Sequence, residues 1–153
     1  DDRFLEKHHI SKGASTLLDS CTTGTILAQL DGPAFFPGGC AANVACGLAA
    51  HGVAVRFIGK VGDDPYAGIF MNGFKGTGIE FPAPVHPQKM TSMCLTLVTP
   101  DKERSFVFCT DAAGFQLAPA DLPEPKAGFV NYIYLETNTA HMPVNHREDN
   151  VLE

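Results

Sequence analysis

Between Phe36 and Asp64 the chain reads FPGGCAANVACGLAAHGVAVRFIGKVGDD, and no other stretch narrows the choice of fold as far. It reads as loop, helix, strand and loop. Gly38 and Gly39 open it after Pro37, Asn43 sits early in the helix, Gly52 ends the helix, and Gly59 and Gly62 follow the strand. Paired glycines after a proline let the backbone take conformations closed to other residues and come close to a ligand. The free N–H groups of a helix start follow directly. The same spacing also suits a tight loop ahead of an ordinary core helix, and the residues alone leave both readings open.

Around this stretch the elements alternate. Asp1 to His9 reads as a helix with Phe4 and Leu5 on its apolar face, and Ala14 to Leu18 as a short strand after Gly13. Thr22 to Leu30 reads as a second helix capped by Thr22 or Thr23, stopped by Asp31-Gly32-Pro33. Ala34 to Phe36 is a brief strand candidate. Ala41 to His51 is an alanine-rich helix with Gly52 after its end, and Ala54 to Ile58 a buried strand, parallel to its neighbours. Asp64 caps a further helix with Pro65 at its first position, carrying Tyr66, Ile69, Phe70 and Phe74 inward.

Beyond Gly78 the period changes. Glu80 to Val85, Met93 to Thr99 and Ser105 to Thr110 read as strands, the last two joined by a hairpin at Thr99 to Arg104, TPDKER. Such a hairpin beside a strand–helix–strand unit indicates a subsidiary sheet attached to a parallel core. Ala118 to Leu122 looks like a helix entry, and Tyr132 to Leu135 a buried strand ending at Glu136. A carboxylate in that position falls where open α/β sheets place ligand groups, although a solvated strand end accounts for it equally. From Thr137 the periodic pattern stops, which reads as a polar tail over 137–153.

Composition sets the limits. The 153 residues are 44% hydrophobic and 18% charged, the balance of a globular chain. A net charge of −6 leaves no basic stripe for nucleic acid or an anionic membrane. No apolar run is long enough to span a bilayer, and the opening DDRFLEKHH is not a signal peptide. Five cysteines, Cys21, Cys40, Cys46, Cys94 and Cys109, form no C-x-x-C pair. The last four lie among apolar or small residues, so buried free thiols in a reducing, cytoplasmic setting are expected.

Other motifs carry less. Gly73 to Gly78, GFKGTG, has the wrong spacing for a dinucleotide loop and reads as a helix end and turn. Val61 after Gly59-Lys60 excludes a Walker A loop. His141 and His146, near Glu148 and Asp149, fit no zinc-ligand spacing.

The opening stretch, GG-C-A-A-N-V-A with Gly52 and Gly62 behind it, resembles the N-terminal signature of the ribokinase-like (phosphofructokinase-B type) carbohydrate and nucleoside kinases. GKVGDDPYAGIF, the preceding DDRFLEKHHISKGASTLLD and the following MTSMCLTLVTPDKERSFVFCTDAAGFQL resemble the family as well. The likeness runs from Asp1 to Glu136, and GG-x-A-A-N is closer to the adenosine-kinase-like and related sugar-kinase branch than to ribokinase. It implies an α/β fold: an incomplete three-layer α/β/α core with a small β-sheet lid over a sugar or nucleoside. It implies substrate contacts from Gly38 and Gly39 near the lid hinge, from Asn43 and from Glu136, with Arg104 at the base of the lid hairpin. ATP and Mg²⁺ are implied for the full-length enzyme. The family's first core strand is expected before Asp1, and its anion hole, catalytic aspartate and most of its ATP site beyond Glu136. The chain is therefore expected to be the substrate-and-lid portion, inactive alone. A truncated product that only binds ligand, or pairs two copies through exposed lid edges, is the competing expectation. Cys40 and Ala41 replace the lysine-glycine of ribokinase-type members, which argues against ribose without choosing another substrate.

Overall fold

The computed structural model describes residues 1–122, 124, 128 and 132–136. Helix α1 (Asp2–Lys7) starts at Asp1, whose side chain accepts from Phe4 N. Strand β1 (Ser15–Leu18) leads into α2 (Ser20–Leu27). Helix α3 (Cys40–Ala50) follows the paired glycines. The chain continues through β2 (Val61–Gly62), α4 (Pro65–Asn72), β3 (Val85–His86), β4 (Cys94–Val98) and β5 (Arg104–Cys109). Short 3-10 turns at Ala113–Gln116 and Pro119–Asp121 close the order.

Two small sheets result. In the first the order is β1–β5–β4, with β1 parallel and β4 antiparallel to β5. Its register places Leu18 opposite Cys109 and Cys94 opposite Phe108. Alternation along β5 turns Ser105, Val107 and Cys109 inward. There α1 and α2 close over the sheet around Leu5, Ile10, Ile26, Leu95 and Val107. The second sheet pairs β2 with β3 in parallel, and an isolated parallel bridge joins Arg56 to Glu80 beside it.

A second apolar centre is aromatic. Phe57, Phe70, Phe74 and Phe81 are mutually in contact, with ring centroids 5.1 to 5.8 Å apart, and most pairs stand edge-on. Edge-to-face packing sets positive ring edges against negative faces. The i, i+4 spacing of Phe70 and Phe74 places both on one side of the helix end, as the sequence pattern indicates.

The hairpin, β1, the alanine-rich helix and the Asp64–Pro65 helix start stand where the sequence places them. Other expectations are corrected. Helix α2 begins two residues before Thr22, because the Asp19 carboxylate accepts from Thr22 N and Thr22 Oγ1 and so outcompetes either threonine as cap. Ala34 to Phe36 forms no strand, and Phe36 is exposed. Ala54 to Ile58 forms an isolated bridge with Glu80, by Phe57 N to Glu80 O and Glu80 N to Val55 O, and not a strand among the described residues. Tyr132 to Leu135 is neither a strand nor buried: Tyr132 is 94% and Leu135 60% exposed. Among the described residues no strand pairs with it, and an extended run without a neighbour has no ladder to join. The cysteines are all free, but Cys21, Cys40 and Cys94 are exposed, and only Cys109 is buried. The polar tail and its histidines lie outside the described residues.

Candidate functional site

The start of α3 is unusual because its cap has no side chain. Gly39 occupies that position with φ +101° and ψ 137°, a backbone conformation that side chains disfavour. Its carbonyl accepts from Asn43 N at 2.9 Å, but no side-chain oxygen covers the first N–H groups from within the loop. The Glu136 carboxylate does so from elsewhere: Ala41 N donates to Glu136 Oε2 at 3.1 Å. A negative charge beside the positive end of a helix is favourable, and orphan N–H groups need an acceptor.

The same carboxylate bears on Cys40. Repulsion from Glu136, then a hydrogen bond to it, pushes the Cys40 thiol up from its ordinary value. The thiol therefore stays protonated and can donate to the carboxylate. Cys40 had no expected role, and its position directly after the paired glycines was the signal available.

The glycine loop is held from behind by α4. Gly73, the C-terminal cap of α4, lies so close to Pro37 that an added Cβ would fall 2.6 Å from the proline Cβ. Glycine at 73 thus lets Pro37 seat, which fixes the residues just before Gly38. Pro37, Gly38, Ala42, Asn43, Cys46, Phe70, Gly73 and Phe74 line a recess of about 60 Å³. Asn43 is exposed at its edge, and its amide forms no hydrogen bond among the described residues. Its free carboxamide carries two donors and an acceptor.

Of the five residues named from sequence, the structure brings four to one helix start: Gly38 and Asn43 on the recess, Gly39 at the α3 cap, and Glu136 at Ala41 N. Arg104 stands apart. It opens β5, exposed, paired across the hairpin with Val98. Among the described residues no side-chain hydrogen bond or ion pair links it to the other four. No three His, Cys, Asp or Glu side chains among the described residues converge where they could hold a metal ion. The described helices include none long and apolar enough to cross a membrane.

A family model for pfkB family carbohydrate kinases matches residues 17–152. Curated relatives include a protein named probable fructokinase-6, chloroplastic, of Arabidopsis thaliana. It is 36% identical over 115 residues, covering 71% of this chain and 29% of that protein. The fructokinase of Escherichia coli is 36% identical over 89 residues, covering 57% of this chain and 29% of its own length. Among solved structures, adenosine kinase from Sinorhizobium meliloti superposes with a TM-score of 0.67 at 31% identity, over 80% of this chain and 38% of that one. A probable sugar kinase from Rhizobium etli superposes at 0.65 with 29% identity, over 80% and 37%. The chain spans 29 to 40% of the length of the first three curated relatives. Its fold is ribokinase-like α/β with small, partial sheets, as the incomplete core expected from the sequence would have. The chain belongs to the pfkB family of carbohydrate kinases.

Proposed function

We propose that these residues supply the substrate-facing part of an ATP-dependent kinase that phosphorylates a hydroxyl of a sugar or nucleoside. The observation that carries this reading is the convergence of Gly38, Gly39, Asn43 and Glu136 on one helix start. The likeness to proteins named fructokinase and adenosine kinase supports the choice of a sugar ring, free or in a nucleoside.

Each group has a separate task. The glycine pair leaves the backbone bare, so a substrate ring can lie against Gly38 and Gly39 without meeting a side chain. The Asn43 amide offers a donor and an acceptor to neighbouring hydroxyls. The Glu136 carboxylate accepts from a hydroxyl with one oxygen while the other holds Ala41 N, a charge-assisted pairing stronger than a neutral one. The β1–β5–β4 sheet acts as the lid, with Arg104 at the base of its hairpin, and closure excludes water from the transfer. ATP supplies the γ-phosphoryl group. Among the described residues no cluster of three His, Cys, Asp or Glu side chains would hold Mg²⁺.

In this reading the 153 residues bind substrate but do not turn it over alone. Their coverage of 29 to 40% of the relatives' length supports that. Edge strands β1 and β4, with Val98 62% exposed, offer a route to pairing of two copies through the sheet. A cytoplasmic setting accords with five free thiols.

Calorimetric titration with fructose, other hexoses and adenosine tests the site, beside an ATP-dependent phosphorylation assay of the same panel. Expected is binding of one sugar class, weakened about tenfold or more by Asn43→Ala through loss of about 1–2 kcal/mol of hydrogen bonding, and no turnover. Unchanged affinity in that variant removes Asn43 from the site, and turnover above background overturns the division of labour.

A further inference from the structure

The fold divides into two packed groups joined at a narrow waist. One consists of β1, β4 and β5 with α1 and α2 on their inner face. The other contains α4, β2, β3 and the 3-10 turn at Ala113–Gln116. The chain enters the β4–β5 hairpin through Lys89–Ser92 and leaves through Thr110–Ala113, and the two passages touch where Ala113 N donates to Met90 O at 2.8 Å.

At this waist one cluster is built on a buried threonine and another is half-exposed. Thr91, 5% exposed, donates from its backbone N to Asp64 Oδ2 at 2.6 Å and from Oγ1 to Asp64 Oδ1 at 2.8 Å. Its hydroxyl also accepts from Gly62 N at 2.9 Å. Asp64 in turn caps α4 through Ala67 N, so the entering passage is bonded directly to the helix-bearing group. Ala112 and Ala113, on the leaving passage, are fully buried beside it. The second cluster centres on Asp111. Its Oδ1 accepts from Ser20 N at 2.7 Å and Cys109 Sγ at 3.4 Å, and its Oδ2 from Ser20 Oγ at 3.0 Å and Lys89 Nζ at 2.9 Å. Ser20 and Cys109 belong to the sheet group. Lys89 stands on the other side of Thr91, with its backbone N donating to His86 Nδ1 of β3. The Lys89 and Asp111 side chains are each 34% exposed.

We propose that the Asp64–Thr91–Gly62 cluster is a fixed pivot for the β1–β5–β4 sheet, and that the Lys89–Asp111 ion pair is a latch holding the sheet at its observed angle. The pivot centres on buried Thr91, whose hydroxyl takes a buried hydrogen bond from Gly62 N, and breaking that bond strands a polar group away from water. The latch is within reach of solvent and salt, where an ion pair is weak and readily exchanged. A hinge needs both: a point that does not give and a bond that does. Where the sheet is the lid of the proposed function, the latch sets how far it stands open. That clause rests on the functional reading, but the division into pivot and latch does not.

The test is a distance measurement on the full 153-residue chain without ligand. Spin labels are placed at position 96 on exposed β4 and at position 75 after α4, in a background whose native cysteines are replaced by serine or alanine. Double electron–electron resonance should give one dominant distance. Lys89→Met, which keeps the stem and removes the charge, should raise the ratio of a second distance to the first about two- to fivefold, and 1 M salt on the parent chain should do the same. Circular dichroism should show unchanged secondary structure in both cases. Thr91→Val should broaden the distribution and lower the melting temperature, as loss of a buried pivot requires. A distribution unaltered by both Lys89→Met and salt overturns the latch. A Thr91→Val chain with parent melting and parent distances overturns the pivot. Neither result bears on the sugar titrations, so failure here is distinguishable from failure of the functional reading.

Discussion

The Glu136 carboxylate accepts a hydrogen bond from the Ala41 N–H at 3.1 Å across 95 positions of sequence. A helix capped by glycine has no side chain to satisfy its first donors, and a distant acid takes that place. The arrangement positions a carboxylate beside the glycine pair.

Replacing Glu136 by Gln should be read out at Cys40. The carboxylate's charge is the largest cause raising that thiol, so its removal should bring the thiol down toward its ordinary value. Alkylation by iodoacetamide, followed against pH and mapped by mass spectrometry, should be faster at Cys40 near pH 8 in Glu136→Gln. Cys94, whose thiol is raised by causes that do not include Glu136, should keep its rate and serves as the internal control. Equal rates at Cys40 in both chains would place Glu136 away from the helix start.

Gly62 and Gly39 should fail for different reasons when changed to alanine. At Gly62 an added Cβ would run into Lys89 O and lie 2.6 Å from Thr91 N, both backbone atoms that cannot turn aside. Overpacking of that kind costs about 1–3 kcal/mol or more. At Gly39 nothing lies within 4 Å of the added carbon, and the cost is conformational, about 1–3 kcal/mol from φ +101°. Denaturant unfolding should therefore show both variants destabilised. Ligand affinity, corrected for the folded fraction, should fall only for Gly39→Ala.

Acid should weaken the waist over a defined interval. Burial pushes the Asp111 carboxyl up, but hydrogen bonds from Lys89 and Ser20 prevail and hold it at about 2, below the ordinary 3.8. A carboxyl depressed in the folded state stabilises that state above the unfolded value, and the contribution disappears as pH falls through the folded one. The loss should run from about pH 4 down to about pH 2. Urea midpoints measured at pH 5, 4, 3 and 2.5 should fall less steeply in Asp111→Asn than in the parent chain. Asp101, held near 2 by Lys12, remains in both chains and leaves a residual slope. Identical slopes would show that Asp111 is not depressed.

Local signals in the sequence proved most legible. Asp64 before Pro65 announced a helix start because capping involves only neighbours, and the β4–β5 hairpin showed itself through alternation and its turn residues. The glycine pair reads from sequence as a permissive loop ahead of a helix, whereas a role for it and for Asn43 enters only with the resemblance to the kinase family. What escaped depended on distant partners. Asp64 was recognisable as a cap, but its second bond, to Thr91, joins segments 27 positions apart. Ala54 to Ile58 and Tyr132 to Leu135 have strand composition, but a strand exists only beside another strand, and composition does not count neighbours. Glu136 was singled out for ending a strand. The segment before it is no strand, and the carboxylate instead accepts from Ala41 N at the start of α3.

Thr23 illustrates the same limit and yields the last prediction. From sequence it was a candidate cap for α2. In the fold it sits inside the helix, fully buried, with Asp19 capping in its place. Its hydroxyl has no hydrogen-bond partner among the described residues. A buried hydroxyl without a partner loses its hydration and gains nothing in return, at about 1–3 kcal/mol. Valine has nearly the same shape and a similar helix propensity, and it fills the site without the orphan oxygen. Thr23→Val should therefore stabilise the chain by about 1 kcal/mol, less than the full penalty because the hydroxyl can turn toward the preceding helical carbonyl. Thr23→Ala separates the two contributions, since it removes both the hydroxyl and a buried methyl beside Ile26. Thermal unfolding should rank the chains valine, threonine, alanine from most to least stable. A valine variant less stable than the parent would mean that the Thr23 hydroxyl has a bonding partner in solution.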